Sequence, residues 1–381
     1  MDHNFSNKVG TKIAHHNYDK VEHRRSSFGD ERLFCDLLGA VKKVTNSSPL
    51  AKGEQMNREP GSLVVKFVLL LMLVTVSALP SKARAQDKIR IGISSTSPGF
   101  LPTVVAEKKG LYSKYGLSSE HIRISLAVAM NALGTGDLDY AITMAQGVSA
   151  AIKGIPVKLL MMTQDKLVFF LMTRPGIQKV TDLRNKTIGI SYFGSTTQLV
   201  AEVITRQNGL VAGKDVNFLP CGDDQGRIVS LDTGRVDAVI GGPPLDMWGA
   251  KKGYKVIAWA KDYTSLPQNA VIVTDKKLQQ SPDQAKRMIK GTIEALRFLQ
   301  SHKAESIDIL ANYSRSDRET ATGMFESYFP AYSPDGTMTN EALQSAIDDA
   351  VARAKMEKKI PLSQVADRTL LTEAQRELGG K

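Results

Sequence analysis

From Lys88 onward, short apolar and β-branched runs alternate with stretches whose apolar residues recur at helical spacing. That alternation predicts βα units around parallel sheets, and hence an α/β protein. IRIGIS (89–94) reads as the first strand, and a Pro/Gly/Ser loop leads from it into LPTVVAEKKGLYSKYG, a helical stretch broken at Gly110 and Gly116. HIRISL follows as a second strand, AMNALGTG as a short helix closed by glycine, and YAITM as a third strand. GVSAAIKG is the next helix and VKLLMMT the fourth strand.

The same order then returns. TIGIS (187–191) repeats the pattern of RIGIS (90–94) at an offset of 97, and is followed by the helical STTQLVAEVITRQNG and the strand VNFLPC. Leu231, Thr233, Gly234, Asp237 and Ile240 match Leu133, Thr135, Gly136, Asp139 and Ile142 at an offset of 98, and GAKKG at 249–253 faces AAIKG at 150–154. Three blocks in register argue for a duplicated unit, and two such units make two similar lobes rather than a solenoid. QDKLVFFLMTRPGIQKVTDLRNK carries the chain from one lobe to the other and KDYTSLPQNAVIVTDKK carries it back. Two crossings, near Thr163–Thr173 and Asp262–Asn269, describe a hinge. From Ser281 the pattern is helical, opening with a Ser cap and a Pro in the first turn, and these helices are expected on the outside of the first lobe.

Composition changes the picture mainly at the N-terminus. The net charge is +11, but thirteen Lys/Arg and eight Asp/Glu fall within the first 86 residues, leaving an excess of six spread over the remainder. No basic run with interleaved aromatics occurs, which argues against a nucleic-acid partner. Lys66 precedes the apolar run FVLLLMLVTVSAL, and Ala83 and Ala85 supply the small-x-small pattern of a signal-peptidase site, so residues 56–85 read as a secretory signal peptide cut before Gln86. The run has 13 residues, where a spanning helix needs about 20. Residues 1–55 read as a disordered or mis-assigned extension, with Met56 as the functional start. His15, His16 and His23 have no Cys or carboxylate beside them at ligand spacing, so no metal is expected. Cys221, His121 and His302 are the usual reactive residues left after cleavage, and nothing in sequence places a base beside Cys221.

KIRIGIS, a helix ending in KKGLYSKYGL, and then ALGTGDLDYAIT behind an export signal resemble the periplasmic substrate-binding proteins of ABC importers, in the branch serving nitrate, sulfonates, taurine and pyrimidine thiamine precursors. The likeness spans residues 88–330 and departs from the branch between ISL and MNAL, where a Gly/Ser-rich loop is missing. It implies the bilobal type II periplasmic-binding-protein fold, with two βαβ-type lobes, a two-segment hinge and C-terminal helices on the first lobe. The expected divisions are 86–173 for the first lobe, 174–263 for the second, and 264–381 for the return and C-terminal helices. The resemblance further implies a monomer that hands a small-molecule solute to an inner-membrane permease, with no cofactor and no catalytic group.

Facing lobes put strand C-termini and helix N-termini on both walls of one cleft, where unpaired N–H groups and helix dipoles favour an anion. The candidate ligand residues follow from those turns. Ser95, Thr96 and Phe100 follow the first strand of lobe 1, Thr143 and Gln146 its third, and Phe193, Gly194, Ser195 and Thr196, with Thr197 beside them, the matching turn of lobe 2. Gly242 and Pro243 leave room for close backbone approach. Trp248 is assigned to core packing, Asp139 and Asp237 to structural roles at strand starts, and Asp223 and Asp224 to a solvated turn. The expected function is delivery of a sulfonate- or nitrate-like anion to an importer. The alternatives are a pyrimidine-precursor binder, a synthase-like enzyme on the same fold, or a sensor or interaction domain. An aromatic cleft drawing on Phe100, Tyr192, Phe193 or Tyr263 would suit a pyrimidine.

Overall fold

The protein is described by a computed structural model covering residues 86–379. The expected extension and signal peptide, with the histidines they carry, lie outside the described residues. Two five-stranded mixed sheets, each flanked by helices, form the two lobes of an α/β architecture.

The first sheet contains β1 (Asp87–Ile93), β2 (Leu117–Arg123), β3 (Tyr140–Ile142), β4 (Val157–Gln164) and β10 (Asn269–Thr274), in the order β2-β1-β3-β10-β4. The second contains β5 (Phe170–Thr173), β6 (Lys186–Ile190), β7 (Val216–Pro220), β8 (Ala238–Gly241) and β9 (Lys255–Trp259), in the order β7-β6-β8-β5-β9. The two orders correspond strand for strand, with β6 in the place of β1, and β5 in the place of β10. Pairing is parallel from β2 through β3 and from β7 through β8, and antiparallel around β10 and β5. In each sheet the antiparallel strand is the one that has just crossed from the other lobe.

This placement moves the boundary expected at Thr173. Phe170–Thr173 is buried throughout and fills the slot between β8 and β9, so the first lobe ends at Gln164 and the crossing segment is the short stretch 165–169. Its backbone groups pair with β8 on one side and β9 on the other, which lets all four residues be buried. The second crossing runs from Ala260 to Gln268.

The repeat has a physical content. Gly136 and Gly234 both end a helix in the left-handed conformation, with φ of 83° and 73°, where a side chain would be strained. Leu133, Leu231, Ile142 and Ile240 are buried. Asp139 accepts a hydrogen bond from the Arg90 N–H (2.8 Å), and Asp237 accepts one from the Thr187 N–H (3.0 Å). Each carboxylate ties the start of its lobe's central strand to the neighbouring one, and each is paired with cations, Lys277 and Arg90 in one lobe and Arg174 and Lys186 in the other.

The helices used below are α1 (Leu101–Lys108), α2 (Leu126–Thr135), α3 (Ala145–Ile152), α4 (Thr196–Gln207), α5 (Asp224–Asp232), α6 (Leu245–Ala250), α7 (Pro282–Ser301) and α8 (Arg318–Tyr328). Helix α7 buries Ala285, Met288, Ile289, Ile293, Leu296 and Leu299, a stripe with the three- and four-residue spacing of one helix face. It packs on α1, and Thr292 meets the hydroxyl of buried Tyr112 at 2.9 Å, so the C-terminal helices belong to the first lobe. Tyr328, the last residue of α8, is 1% exposed within that lobe's core.

Candidate functional site

The C-terminal ends of the central strands of both sheets face one cavity of about 270 Å³. From the first lobe, Ser94, Ser95 and Ser97 follow β1, Ile124 and Ser125 follow β2, and Thr143 follows β3. From the second, Ser191 and Tyr192 follow β6 and run into Ser195, Thr196 and Thr197, while Gly222, Asp223 and Asp224 follow β7. The wall is therefore rich in hydroxyls that stand where strands turn into helices.

The α4 turn is built by its own side chains. Ser195 is the N-cap, with its Oγ accepting from the Gln198 N–H (3.2 Å) and shared with the Thr197 hydroxyl (2.7 Å), while Thr197 Oγ1 accepts from the Ser191 N–H (2.8 Å). Gly194, with φ of 83°, makes the left-handed step before the cap. The first two helical N–H groups, on Thr196 and Thr197, have no acceptor within the helix and stand at the positive end of its dipole. Helix α5 starts similarly, with Asp223 as N-cap accepting from the Gly226 N–H (3.0 Å).

Four charged groups line the cavity, and they are matched in pairs. Arg123 of the first lobe pairs with Asp223 of the second, and Arg227 pairs with Asp224. Arg227 is 3% exposed, and its Nη1 also donates to Ser191 Oγ (2.5 Å) and to the Gly222 carbonyl (2.8 Å). Its Nε is buried without a hydrogen-bond partner. Burial raises the Asp224 carboxyl above the ordinary carboxylate range, against the opposing pull of Arg227. Because each guanidinium has its carboxylate, the uncompensated field at the wall comes from the helix N-termini.

Aromatic rings supply the rest of the lining: Phe100, Phe169, Tyr192 and Tyr328. Burial pushes the Tyr328 phenol well above its usual range. Gln268, at the end of the second crossing, and Asn269, the first residue of β10, complete the floor. The Gln268 side chain accepts from the Val168 N–H (2.9 Å), and Asn269 donates to Gln164 Oε1 (2.7 Å), so the two crossings are stitched to each other.

The structure thus brings Ser95, Phe100, Thr143, Ser195 and Thr196 to the cavity wall. Thr96 lines an adjoining chamber instead. Gln146 reaches across the lobes, its Nε2 donating to the Gly194 carbonyl (2.7 Å), so these two residues bridge the cleft without lining the cavity. Phe193 is 61% exposed: in the tight turn before the Gly194 step it is left pointing away from the wall. Gly242 and Pro243 are buried outside the lining, because a Cβ on Gly242 would meet the Tyr328 hydroxyl at 2.8 Å and Phe169 Cδ1 at 3.4 Å. Tyr263 likewise stands off the wall, its hydroxyl oxygen accepting from Asn208 Nδ2 (3.3 Å). Asp223 and Asp224 are not a solvated turn but cavity residues held by the two arginines. Arg123, Arg227 and Tyr328 were not marked by any motif, since each becomes part of the site only through its partner on another element.

A family model described as NMT1/THI5 like matches residues 97–306, more than half of the chain. A protein of Brucella abortus named as a binding protein is 24% identical over 266 residues, spanning 65% of this chain and 79% of the relative. Among solved structures, the ligand-binding component of an ABC-type import system from Staphylococcus aureus aligns with a TM-score of 0.64 at 18% identity, over 76% of this chain and 100% of that one. The periplasmic aliphatic sulphonate-binding protein SsuA of Escherichia coli aligns with a TM-score of 0.60 at 16% identity, over 74% and 92%. These likenesses show the bilobal type II periplasmic-binding-protein fold, and the chain belongs to the NMT1/THI5-like family.

Proposed function

We propose that this member of the NMT1/THI5-like family is the extracytoplasmic solute-binding component of an ABC importer, taking a small organic anion into its cleft by lobe closure and presenting it to the permease. The observation that carries this reading is the convergence of hydroxyl-bearing strand–helix turns from both lobes on one cavity whose charged side chains are already paired. Helix N-termini then decide the sign of the field, and they favour negative charge. A sulfonate or carboxylate at Thr196 and Thr197 would be met by N–H groups and hydroxyls together.

Binding rather than catalysis is favoured by how the reactive side chains are used. The Cys221 thiol donates to the Leu219 carbonyl (3.3 Å), and both ring nitrogens of His121 are engaged, by Glu107 (2.6 Å) and Thr103 (2.9 Å). Neither residue lines the cavity.

A second reading has an observation of its own. Four aromatic rings line the cavity, which suits a flat neutral heterocycle such as a pyrimidine thiamine precursor. Mass spectrometry of solute carried through purification, followed by calorimetry with alkanesulfonates, nitrate and aminopyrimidines, separates the two. Tight binding of the pyrimidines with no response to the anions would overturn the anion reading. The exported form is expected to begin at Gln86, and N-terminal sequencing of that form tests the export signal.

A further inference from the structure

A second chamber of about 290 Å³ adjoins the first, and the two share Ser95, Ser97, Arg123, Asp223 and Asp224 as common walls. The Arg123–Asp223 ion pair stands on the partition. Beyond it the lining changes character: Trp248, Pro244 and Met324 supply an apolar side, and Ser314 and Ser316 a polar one.

Trp248 lies on α6 of the second lobe and is half-buried, packed on one side against the cluster that includes Ile228, Leu231 and Leu245. Core packing was its expected role, and it accounts for part of the side chain. The remaining indole surface borders the chamber. Ser314 ends the first-lobe helix Lys303–Ser314, Ser316 lies in the loop after it and Met324 is on α8, so this chamber, like the inner one, has a wall from each lobe. Each chamber lies near the lower end of the range of about 300–1,000 Å³ typical of pockets for drug-sized ligands. A nitrate or a bare sulfonate group held at α4 would leave the outer one unfilled.

We infer that the outer chamber is a subsite for the body of the solute, and that the solute is an organic anion whose charged end sits at Thr196–Thr197 and whose aryl or heteroaryl body passes Arg123 to lie against Trp248. This rests on the anion reading above. Two features of the partition suit a flat body. A guanidinium is planar and stacks on aromatic faces, so Arg123 offers a surface to a ring crossing beside it. An indole likewise favours a ring over an alkyl chain of equal area, through offset stacking or edge contact.

The test compares methanesulfonate, benzenesulfonate and naphthalene-1-sulfonate on the purified full chain by calorimetry and tryptophan emission. The chain has two tryptophans, and Trp259 is packed edge-on to Phe170 in the second sheet, outside both chambers. Naphthalene-1-sulfonate should bind at least about tenfold more tightly than methanesulfonate, a difference of about 1.4 kcal/mol. It should also change tryptophan emission, where methanesulfonate does not. In Trp248→Leu the emission change should vanish and the affinity ratio should fall to within about threefold, while Trp248→Phe, which keeps a ring, should retain most of the ratio. Equal affinities for all three sulfonates in the unaltered chain, or a ratio that survives in Trp248→Leu, would overturn the subsite while leaving the anion reading in place. Failure of all three to bind would remove the anion reading and this one with it.

Discussion

Arg123, the last residue of β2 in the first lobe, forms an ion pair with Asp223, the N-cap of α5 in the second. The pair exists only when the lobes are together, so it stabilises the closed arrangement and not either lobe alone. Its magnitude is bounded by solvent. The Arg123 side chain is 56% exposed, and such pairs contribute about 0.2–1 kcal/mol. Arg123→Ala should therefore weaken solute binding by up to about fivefold, with the larger loss at low salt. Asp223→Ala is a less clean probe, because Asp223 also caps α5. Calorimetry at low and high salt reads the effect, and an affinity indifferent to both the substitution and salt would show that the pair does not hold the lobes closed.

Ser195 and Thr196 are adjacent but do different work. Ser195 is buried and spends its hydroxyl on the Gln198 N–H and Thr197, so Ser195→Ala should lower stability by about 1 kcal/mol, the usual cost of a lost N-cap. Thr196 lines the cavity at a half-buried position. A hydrogen bond from its hydroxyl to a charged ligand would be worth about 1.5–3 kcal/mol, so Thr196→Ala should weaken anion binding about 10- to 100-fold with the melting temperature nearly unchanged. Melting curves paired with calorimetry distinguish the two substitutions. Unchanged affinity in Thr196→Ala would move the anion away from α4.

Gly242 and Tyr328 approach each other from opposite lobes. A methyl on Gly242 would sit 2.8 Å from the Tyr328 hydroxyl, closer than two such atoms can pack, so Gly242→Ala should hold the lobes apart. The expected result is weaker solute binding and a larger radius of gyration in the presence of ligand. Adding Tyr328→Phe removes the obstructing oxygen, and the double variant should recover most of the lost affinity, a coupling that a mutant cycle measures. Additive losses would place the effect elsewhere.

Glu107 should control acid stability in the first lobe. Its carboxylate accepts from the His121 ring (2.6 Å) and from Lys108 (3.0 Å), and the His121 bond above all holds it down to about 2 from an ordinary 4.5. A carboxyl whose pKa is lowered on folding contributes stability that is complete above 4.5 and is lost as pH falls toward 2, since the unfolded chain takes up the proton first. The contribution is on the order of 2 kcal/mol. Glu107→Gln should be less stable at neutral pH and should show a flatter melting profile through that acid window. Parallel profiles for the two proteins would show that another group governs the acid limb.

Much of the architecture is decided by local pattern. Glycine in the left-handed conformation at 136 and 234, buried leucines and isoleucines at matching places, and an aspartate that ties adjacent strands at 139 and 237 are short-range devices, so their recurrence is visible in sequence, and so is the duplication. The hydroxyl-bearing turns after β1, β3 and β6 are legible for the same reason. A strand end followed by Ser or Thr and a helix is a contiguous signal.

What the linear pattern could not decide is which turns meet. Phe170–Thr173 could have closed the first sheet or entered the second. The choice fell to the open slot between β8 and β9, a property of the assembled sheet. Gly242 and Pro243 have the form of a ligand loop, yet Tyr328 and Phe169 occupy the space beside Gly242. Arg227 reads in sequence as one more polar residue of a helix. It becomes a cavity residue because α5 points it at Asp224 and Ser191, where burial forces it to find partners. Arg123 and Asp223 are a hundred residues apart, and Tyr328 returns from the far end of the chain. Side chains so distant are joined by the two crossings and by the packing of the C-terminal helices on the first lobe, and tertiary structure alone supplies that proximity.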